Sequence, residues 1–203
     1  DVENLYEKLI KYGKESFDKY FTDEASKELF FIRFSNIARW FVEQDENIRA
    51  SGYSIYAERE EKAYIKDIDF TISAKIDRIE ENEFNSVNIV DYKTGNTPST
   101  SDVLSAKKPQ LTIEAIILEE KYNKKTDKLV YWSIKGKGDE KIQEINSNVS
   151  ELVDRGRDGI KRLIAHFDVF ENSYIATAFD LNDQNHYASD YKHLSRVEEW
   201  GYL

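Results

Sequence analysis

The chain has 203 residues, of which 40% are hydrophobic and 33% are charged. This composition excludes an intrinsically disordered or collagen-like chain, and the length suits one compact domain of more than average size. The absence of cysteine excludes a disulfide framework, a zinc–thiolate site and an iron–sulfur cluster with cysteine ligands. The formal net charge of −10 argues against a protein that coats nucleic acid with a uniformly basic surface.

Two features of the sequence bear on the location of the protein and on the length of its full chain. No run of apolar residues approaches the roughly 18 that a membrane-spanning helix needs, and the first residues lack the basic and apolar regions of a signal peptide. We therefore expect a cytoplasmic protein that has no membrane partner. Because the chain contains no methionine, we also expect it to be a fragment of a longer polypeptide.

The first fifty residues have the apolar spacing of about 3.6 residues that is typical of amphipathic helices. A sequence suited to capping a helix, Thr-Asp-Glu-Ala at 22–25, predicts the start of a second helix, and Gly52 predicts its end. We interpret residues 1–50 as a helical lead-in to the domain.

The pattern changes after Gly52 to an alternation of apolar and polar residues, which is typical of strands with one solvated face. One strand begins at Tyr53, and another covers residues 68–77. The polar residues 80–86 predict a turn, and the run at 87–93 predicts a further strand. The last two strands thus form a predicted β-hairpin.

The second half of the chain alternates helices and strands. A proline near its first turn predicts a helix over about residues 110–122, a strand follows at 129–134, and a further helix is predicted at 149–167. No internal repeat or low-complexity linker separates these elements. We therefore predict one α/β domain over the whole chain, with a core at 53–167 and a C-terminal tail at 168–203.

Two carboxylates and a lysine are expected to meet on the polar face of the hairpin. Side chains two residues apart on a strand point the same way, so Asp91 and Lys93 share a face, and Asp77 lies on the polar face of the preceding strand. Close carboxylates repel unless a cation separates them, and a hard divalent metal is the simplest such cation. A lysine beside such a metal can position water or offset charge on a phosphate. An ordinary cross-strand salt-bridge network is the alternative.

A lysine-rich stretch covers residues 104–138, where eight lysines stand against four acidic residues. Lys107 and Lys108 lie just before the predicted helix that begins at Gln110, and they are candidates for contact with nucleic-acid phosphates. A solvated face that only keeps the surface hydrated is the alternative interpretation.

Three motifs occur in order along the chain: Ala-Lys-Ile-Asp-Arg-Ile-Glu at 74–80, Ile-Val-Asp-Tyr-Lys-Thr-Gly at 89–95, and Pro-Gln-Leu at 109–111. Their order and spacing resemble those of RecB-type nucleases of the PD-(D/E)XK superfamily. Segments 33–41 and 190–200 sharpen this into a resemblance to the C-terminal nuclease domain of AddB proteins of the alphaproteobacterial type. The resemblance covers nearly the whole chain.

The resemblance implies a fold, an activity and partners. The fold is a central mixed β-sheet flanked by helices, with a restriction-endonuclease-like core. The activity is hydrolysis of DNA phosphodiester bonds, exonucleolytic on single-stranded ends, with Mg²⁺ as cofactor, for which Mn²⁺ can substitute. The partners are DNA, an AddA-like helicase subunit and the rest of an AddB chain, acting in double-strand break repair and recombination at the bacterial nucleoid.

The resemblance also implies roles for individual residues. Asp77 and Asp91 would be the metal-ligating carboxylates, with the backbone carbonyl of Tyr92 as an additional ligand. Lys93 would orient the attacking water and stabilise charge in the transition state. Gln110 would face the site and hold either the DNA backbone or the lysine.

Two further carboxylates, Glu58 and Glu114, are candidate site residues whose roles stay open. RecB-type nucleases usually carry a histidine ligand on an N-terminal helix, but the histidines here, His166, His186 and His193, all follow the motifs. The expected histidine would therefore precede the first residue. A nuclease-fold module that binds DNA or a helicase partner without cutting is the alternative function, and the lack of cysteine disfavours a stand-alone Cas4-like exonuclease.

Overall fold

The computed structural model describes residues 2–172. In this range it has five α-helices: Val2–Tyr20 (α1), Glu24–Ala50 (α2), Thr100–Leu104 (α3), Gln110–Tyr122 (α4) and Val149–Phe167 (α5). Five strands form one sheet: Ser54–Ile65 (β1), Phe70–Glu81 (β2), Ser86–Lys93 (β3), Lys125–Ser133 (β4) and Lys141–Glu144 (β5). A short 3₁₀ turn at Lys66–Ile68 joins β1 to β2.

The chain divides into two compact units, and the first, Asp1–Ile160, contains the sheet. The second unit begins at Lys161 and is described only as far as residue 172. There the side-chain amide of Asn172 donates a hydrogen bond to the carbonyl oxygen of His166 at 2.6 Å. The part of the predicted C-terminal tail beyond residue 172 lies outside the described residues, as does segment 190–200.

The sheet has the strand order β1-β2-β3-β4-β5. β3 and β4 run parallel, while the other neighbouring pairs are antiparallel. A parallel pair needs a crossover connection, and the segment that contains α4 provides it. The predicted central mixed sheet flanked by helices is therefore confirmed.

The predicted hairpin is also confirmed. β2 and β3 pair from Arg78 opposite Val90 to Glu81 opposite Val87. The Asn82 side-chain oxygen accepts hydrogen bonds from the backbone amide groups of residues 84 and 86. This local bonding closes the polar turn, because asparagine side chains readily replace backbone acceptors in turns.

Each face of the sheet is covered by a different helix. On one face α4 is buried almost along its whole length, and its cluster includes Ile76, Ile89, Leu111, Ile116 and Leu129. On the other face α2 brings aromatic side chains onto the strands, with the ring centroids of Trp40 and Trp132 at 5.3 Å. Both faces of β3 and β4 are covered, so these two strands are rich in buried apolar residues.

Three features of the fold were not predicted from the sequence, one of which is the short edge strand β5. No helix was predicted between the strand at 87–93 and the helix at 110–122, but this segment contains α3, which begins with a capping box between Ser99 and Asp102. A helix of five residues is too short to show a periodic apolar pattern. β1 continues to Ile65 because it pairs with β2 on both sides of Glu58, although residues 58–62 are all charged.

Within residues 2–172, no helix is both long enough and apolar enough to span a membrane.

The contact between α1 and α2 depends on Gly13, which is buried. A Cβ atom at this position would overlap the ring of Phe34 on α2. Gly159 on α5 is the matched control, because a Cβ atom there meets no atom within 4 Å. We expect Gly13→Ala to lower the free energy of unfolding by about 1–2 kcal/mol. Gly159→Ala is expected to raise it by up to about 1 kcal/mol, since alanine is the better helix former.

Urea denaturation of both variants against the parent protein measures these two free energies. Equal stabilisation by both substitutions would contradict the close approach of α1 and α2 at Gly13.

Candidate active site

The candidate site lies where two neighbouring strands diverge. Pairing of β2 with β3 stops at Arg78 and Val90, whereas β3 continues alongside β4 as far as Lys93. Just beyond the last pair, the Asp77 carboxylate accepts a hydrogen bond from the backbone amide group of Tyr92 at 3.0 Å. The last residues of β3 therefore do not pair with β2, and a gap opens between the two strands. Asp77 lies on one side of this gap and Asp91 on the other.

Asp91 and Lys93 share the face of β3 that is turned toward α4, as their spacing predicted. Asp91 is only 2% exposed, and the Lys93 Nζ atom lies 2.8 Å from its Oδ2 atom. Burial raises the pKa of Asp91, the ammonium group of Lys93 opposes that rise, and the negative charge of Asp77 adds to it. The Lys93 side chain is 26% exposed, so the lysine connects the buried carboxylate with solvent.

Gln110 lies at the centre of the polar contacts. It is the first residue of α4 and follows Pro109, which stands at the N-cap position. Its amide nitrogen donates to Asp91 Oδ1 at 2.5 Å and to Glu114 Oε1 at 3.1 Å. Its amide oxygen accepts a hydrogen bond from Lys93 Nζ at 3.1 Å. One side chain therefore joins two carboxylates and one ammonium group.

Glu114 is a buried carboxylate on the same face of α4, one turn after Gln110. Its exposed fraction is 2%, and burial raises its pKa to about 8, with a further contribution from the negative charges of Asp91 and Asp77. The hydrogen bond from Gln110 and the charge of Lys93 act in the opposite direction. Its Oε2 atom is buried and has no hydrogen-bond partner among the described residues.

Glu58 lies on β1, next to the strand that carries Asp77. Its backbone has a φ angle of 53°, which is uncommon for a residue other than glycine. The regular pairing of β1 with β2 is interrupted between the pairs Ala57–Arg78 and Arg59–Ile76. This register places Glu58 opposite Asp77, but its carboxylate forms an ion pair with Lys75.

The two lysines that were predicted to contact DNA lie on the connection between α3 and α4. Lys107 and Lys108 are both exposed, and the backbone amide of Lys108 donates to the carbonyl oxygen of Asp102 at 3.1 Å. Two residues after Lys108, the chain enters α4 at Gln110. Both cations are thus close in sequence to the polar cluster, on a surface that a phosphate backbone can reach.

Most of the chain matches one known protein family. Residues 2–185 match the model of the PD-(D/E)XK nuclease superfamily. The chain belongs to this superfamily. The expected restriction-endonuclease-like fold is confirmed by this match together with the mixed five-stranded sheet.

Similar proteins occur in Rickettsia species. A Rickettsia conorii protein described as uncharacterized is 24% identical over 95% of this chain. Proteins of Rickettsia felis and Rickettsia typhi, also described as uncharacterized, are 29% and 30% identical over 64% and 58% of the chain. The matched region spans only 26%, 16% and 14% of the lengths of these three relatives.

Members of the PD-(D/E)XK superfamily commonly use a divalent cation, and the residues here fit one chemically. Carboxylate and carbonyl oxygens are the ligands that Mg²⁺ and Mn²⁺ prefer. Asp91 and Glu114 each direct one oxygen at the same amide nitrogen, and Glu114 has a second oxygen without a partner. In this conformation, residues 2–172 contain no group of three or more His, Cys, Asp or Glu side chains already arranged around a cation.

A buried arginine supports the strand that carries Asp77, a role that the sequence did not predict. Arg78 follows Asp77 and is 1% exposed; it donates to Asp45 on α2 at 2.6 Å and to Glu80 at 2.8 Å. Its guanidinium group lies 4.6 Å from the centroid of the Trp132 ring. These contacts anchor β2 to α2 next to Asp77. The acidic residues next to Arg78 in the sequence suggest that it forms an ion pair. Its partner Asp45, however, is 33 residues away in sequence.

Proposed function

We propose that this domain is a metal-dependent deoxyribonuclease that hydrolyses phosphodiester bonds. The observation that carries the proposal is the cluster of Asp91, Lys93 and Gln110 at the end of β3, with Asp77 across the gap. This combination supplies carboxylates for a cation and an ammonium group for a phosphate. The match of residues 2–185 to a nuclease superfamily supports the same activity.

Asp77, Asp91 and the backbone carbonyl of Tyr92 would hold the cation, Mg²⁺ or Mn²⁺. When bound, the cation supplies Lewis acidity, which offsets negative charge on the phosphate oxygens. Asp91 is suited to this role because its burial excludes competing water. Asp77 keeps its orientation through the hydrogen bond from the Tyr92 amide group, which ties the two strands together at the site.

Lys93 would orient the attacking water and stabilise the additional negative charge of the transition state. Its Nζ atom is held between the Asp91 carboxylate and the Gln110 amide oxygen. An ammonium group has three donors, so one hydrogen remains for a water molecule or a phosphate oxygen. Before a cation binds, Gln110 would thus hold the lysine, which is one of the two roles that the sequence left open.

DNA would approach along the exposed connection before α4. Lys107 and Lys108 are the proposed phosphate contacts, because phosphate neutralisation supplies most sequence-independent affinity. We further propose exonucleolytic action on single-stranded ends, as part of a longer AddB-type chain with an AddA-like helicase partner. Its setting would be double-strand break repair and recombination in the cytoplasm, at the nucleoid.

A module that binds DNA without cutting it is the second candidate. Two observations favour it: within residues 2–172 no three metal-ligating side chains are already clustered, and the first histidine of the chain is His166. The intact set of Asp77, Asp91 and Lys93 favours the enzyme.

Cleavage of end-labelled single-stranded DNA tests the proposal. We expect cutting in the presence of Mn²⁺ or Mg²⁺, none with a chelator, and loss of cutting in Asp91→Asn. Asp127→Asn is the matched control, because Asp127 is an exposed carboxylate on β4. DNA binding without cutting, both by this chain and by one extended at its N-terminus, would establish the second candidate instead.

A further inference from the structure

The Gln110 side chain occupies a position that is electrostatically unusual. Its amide nitrogen donates to Asp91 and to Glu114, at 2.5 and 3.1 Å. A neutral amide can satisfy two acceptor oxygens, but it carries no positive charge to balance a carboxylate. Lys93 is the only cation that ion-pairs with Asp91 among the described residues, and within those residues no ion pair reaches Glu114.

Glu114 has one more feature that points to an absent ligand. Its Oε2 atom is buried and lacks a hydrogen-bond partner within residues 2–172, although buried polar oxygens nearly always have one. The residue is 2% exposed. The Oε2 atom of Glu114 is thus a buried oxygen without a partner, close to the carboxylate of Asp91. Such an oxygen is suited to a hard cation that both side chains bind.

We propose that Asp91 and Glu114 together hold the divalent cation, and that the cation takes the place of the Gln110 amide nitrogen. This inference rests on the proposed function and adds Glu114 to its metal site. The Gln110 side chain can leave because it belongs to the first residue of α4 and is exposed. In this scheme Gln110 occupies the metal position in the cation-free protein and withdraws when the cation binds.

The displacement has a consequence for Lys93. The Gln110 oxygen accepts a hydrogen bond from the Lys93 ammonium group, so withdrawal of Gln110 frees one of the lysine's donors. The lysine keeps its ion pair with Asp91 Oδ2. Binding of the cation therefore releases a donor for water or phosphate at the moment when the metal site is filled.

Calorimetric titration with Mn²⁺ alone tests the inference without a cleavage assay. We expect Glu114→Gln to weaken Mn²⁺ binding about tenfold or more, because it removes a charged ligand of the same shape. Gln110→Ala is expected to strengthen binding several-fold, up to about tenfold, because no charge-assisted hydrogen bonds need to be broken. Glu120→Gln is the matched control, since Glu120 is an exposed residue of α4 that pairs with Arg157.

The variant at Gln110 separates this inference from a merely structural role. Weaker Mn²⁺ binding by Gln110→Ala, or unchanged binding by Glu114→Gln in a folded protein, would overturn it. If the parent protein cuts DNA while Glu114→Gln binds Mn²⁺ normally, the inference fails and the proposed nuclease stands. If neither the parent protein nor a chain extended at its N-terminus binds Mn²⁺ or cuts DNA, the proposed function itself fails.

Discussion

Replacement of Lys93 by methionine is expected to lower the rate of DNA cleavage by about 10²–10³-fold. This is the range observed when one preorganised donor to a developing negative charge is removed. The lysine is positioned for this task by its ion pair with Asp91, whose Oδ2 atom lies 2.8 Å from Nζ. Methionine retains the length and apolar stem of the side chain but has no ammonium group.

Single-turnover cleavage of labelled single-stranded DNA measures this effect. Lys128→Met is the matched control, because Lys128 is an exposed lysine on β4 that pairs with Glu144 at 2.9 Å. We expect the control to retain its rate within about twofold, as surface ion pairs contribute little. If Lys93→Met cuts as fast as the control, Lys93 is not a catalytic residue and the proposed roles must be reassigned.

The stability of the metal-free protein is expected to fall as the pH rises, and Glu114 is expected to cause most of that fall. In the folded state burial raises the pKa of Glu114 to about 8, compared with an ordinary value of 4.5. Between these two values the folded state binds more protons than the unfolded state. The free energy of unfolding therefore decreases with pH, by up to about 1.4 kcal/mol for each pH unit.

Substitution Glu114→Gln removes this titration while it preserves the shape of the side chain. Compared with the parent protein, we expect the variant to gain a few kcal/mol of stability between about pH 5 and pH 8. A smaller slope of the same sign will remain, because burial also raises the pKa of Asp91. Urea denaturation at several pH values, with a chelator present, measures both slopes.

The control for this series is Glu151→Gln, at an exposed position in the first turn of α5. It is expected to leave the pH dependence of stability unchanged. Parallel curves for the parent protein and Glu114→Gln would show that Glu114 is ionised at neutral pH in the folded protein, contrary to its burial.

Most of the elements, and the shared face of Asp91 and Lys93, followed from local sequence patterns. Helix α4 has the predicted bounds, Gln110 to Tyr122, because a proline marks its first turn and apolar residues fill it. The β2–β3 hairpin followed from alternating residues around a polar turn. Asp91 and Lys93 were expected to share a face because strand geometry repeats every two residues. Such features depend only on neighbours along the chain.

The rest of the site was decided by tertiary packing. The spacing of Gln110 and Glu114 puts both on one face of a helix, but only the packing of α4 on β3 buries Glu114 and places Gln110 against Asp91. The ion pair between Arg78 and Asp45 spans 33 residues, a separation at which sequence spacing carries no information. The pKa values of the site depend on how far each carboxyl group is excluded from water and on which charges lie near it. Only the tertiary structure determines these two properties.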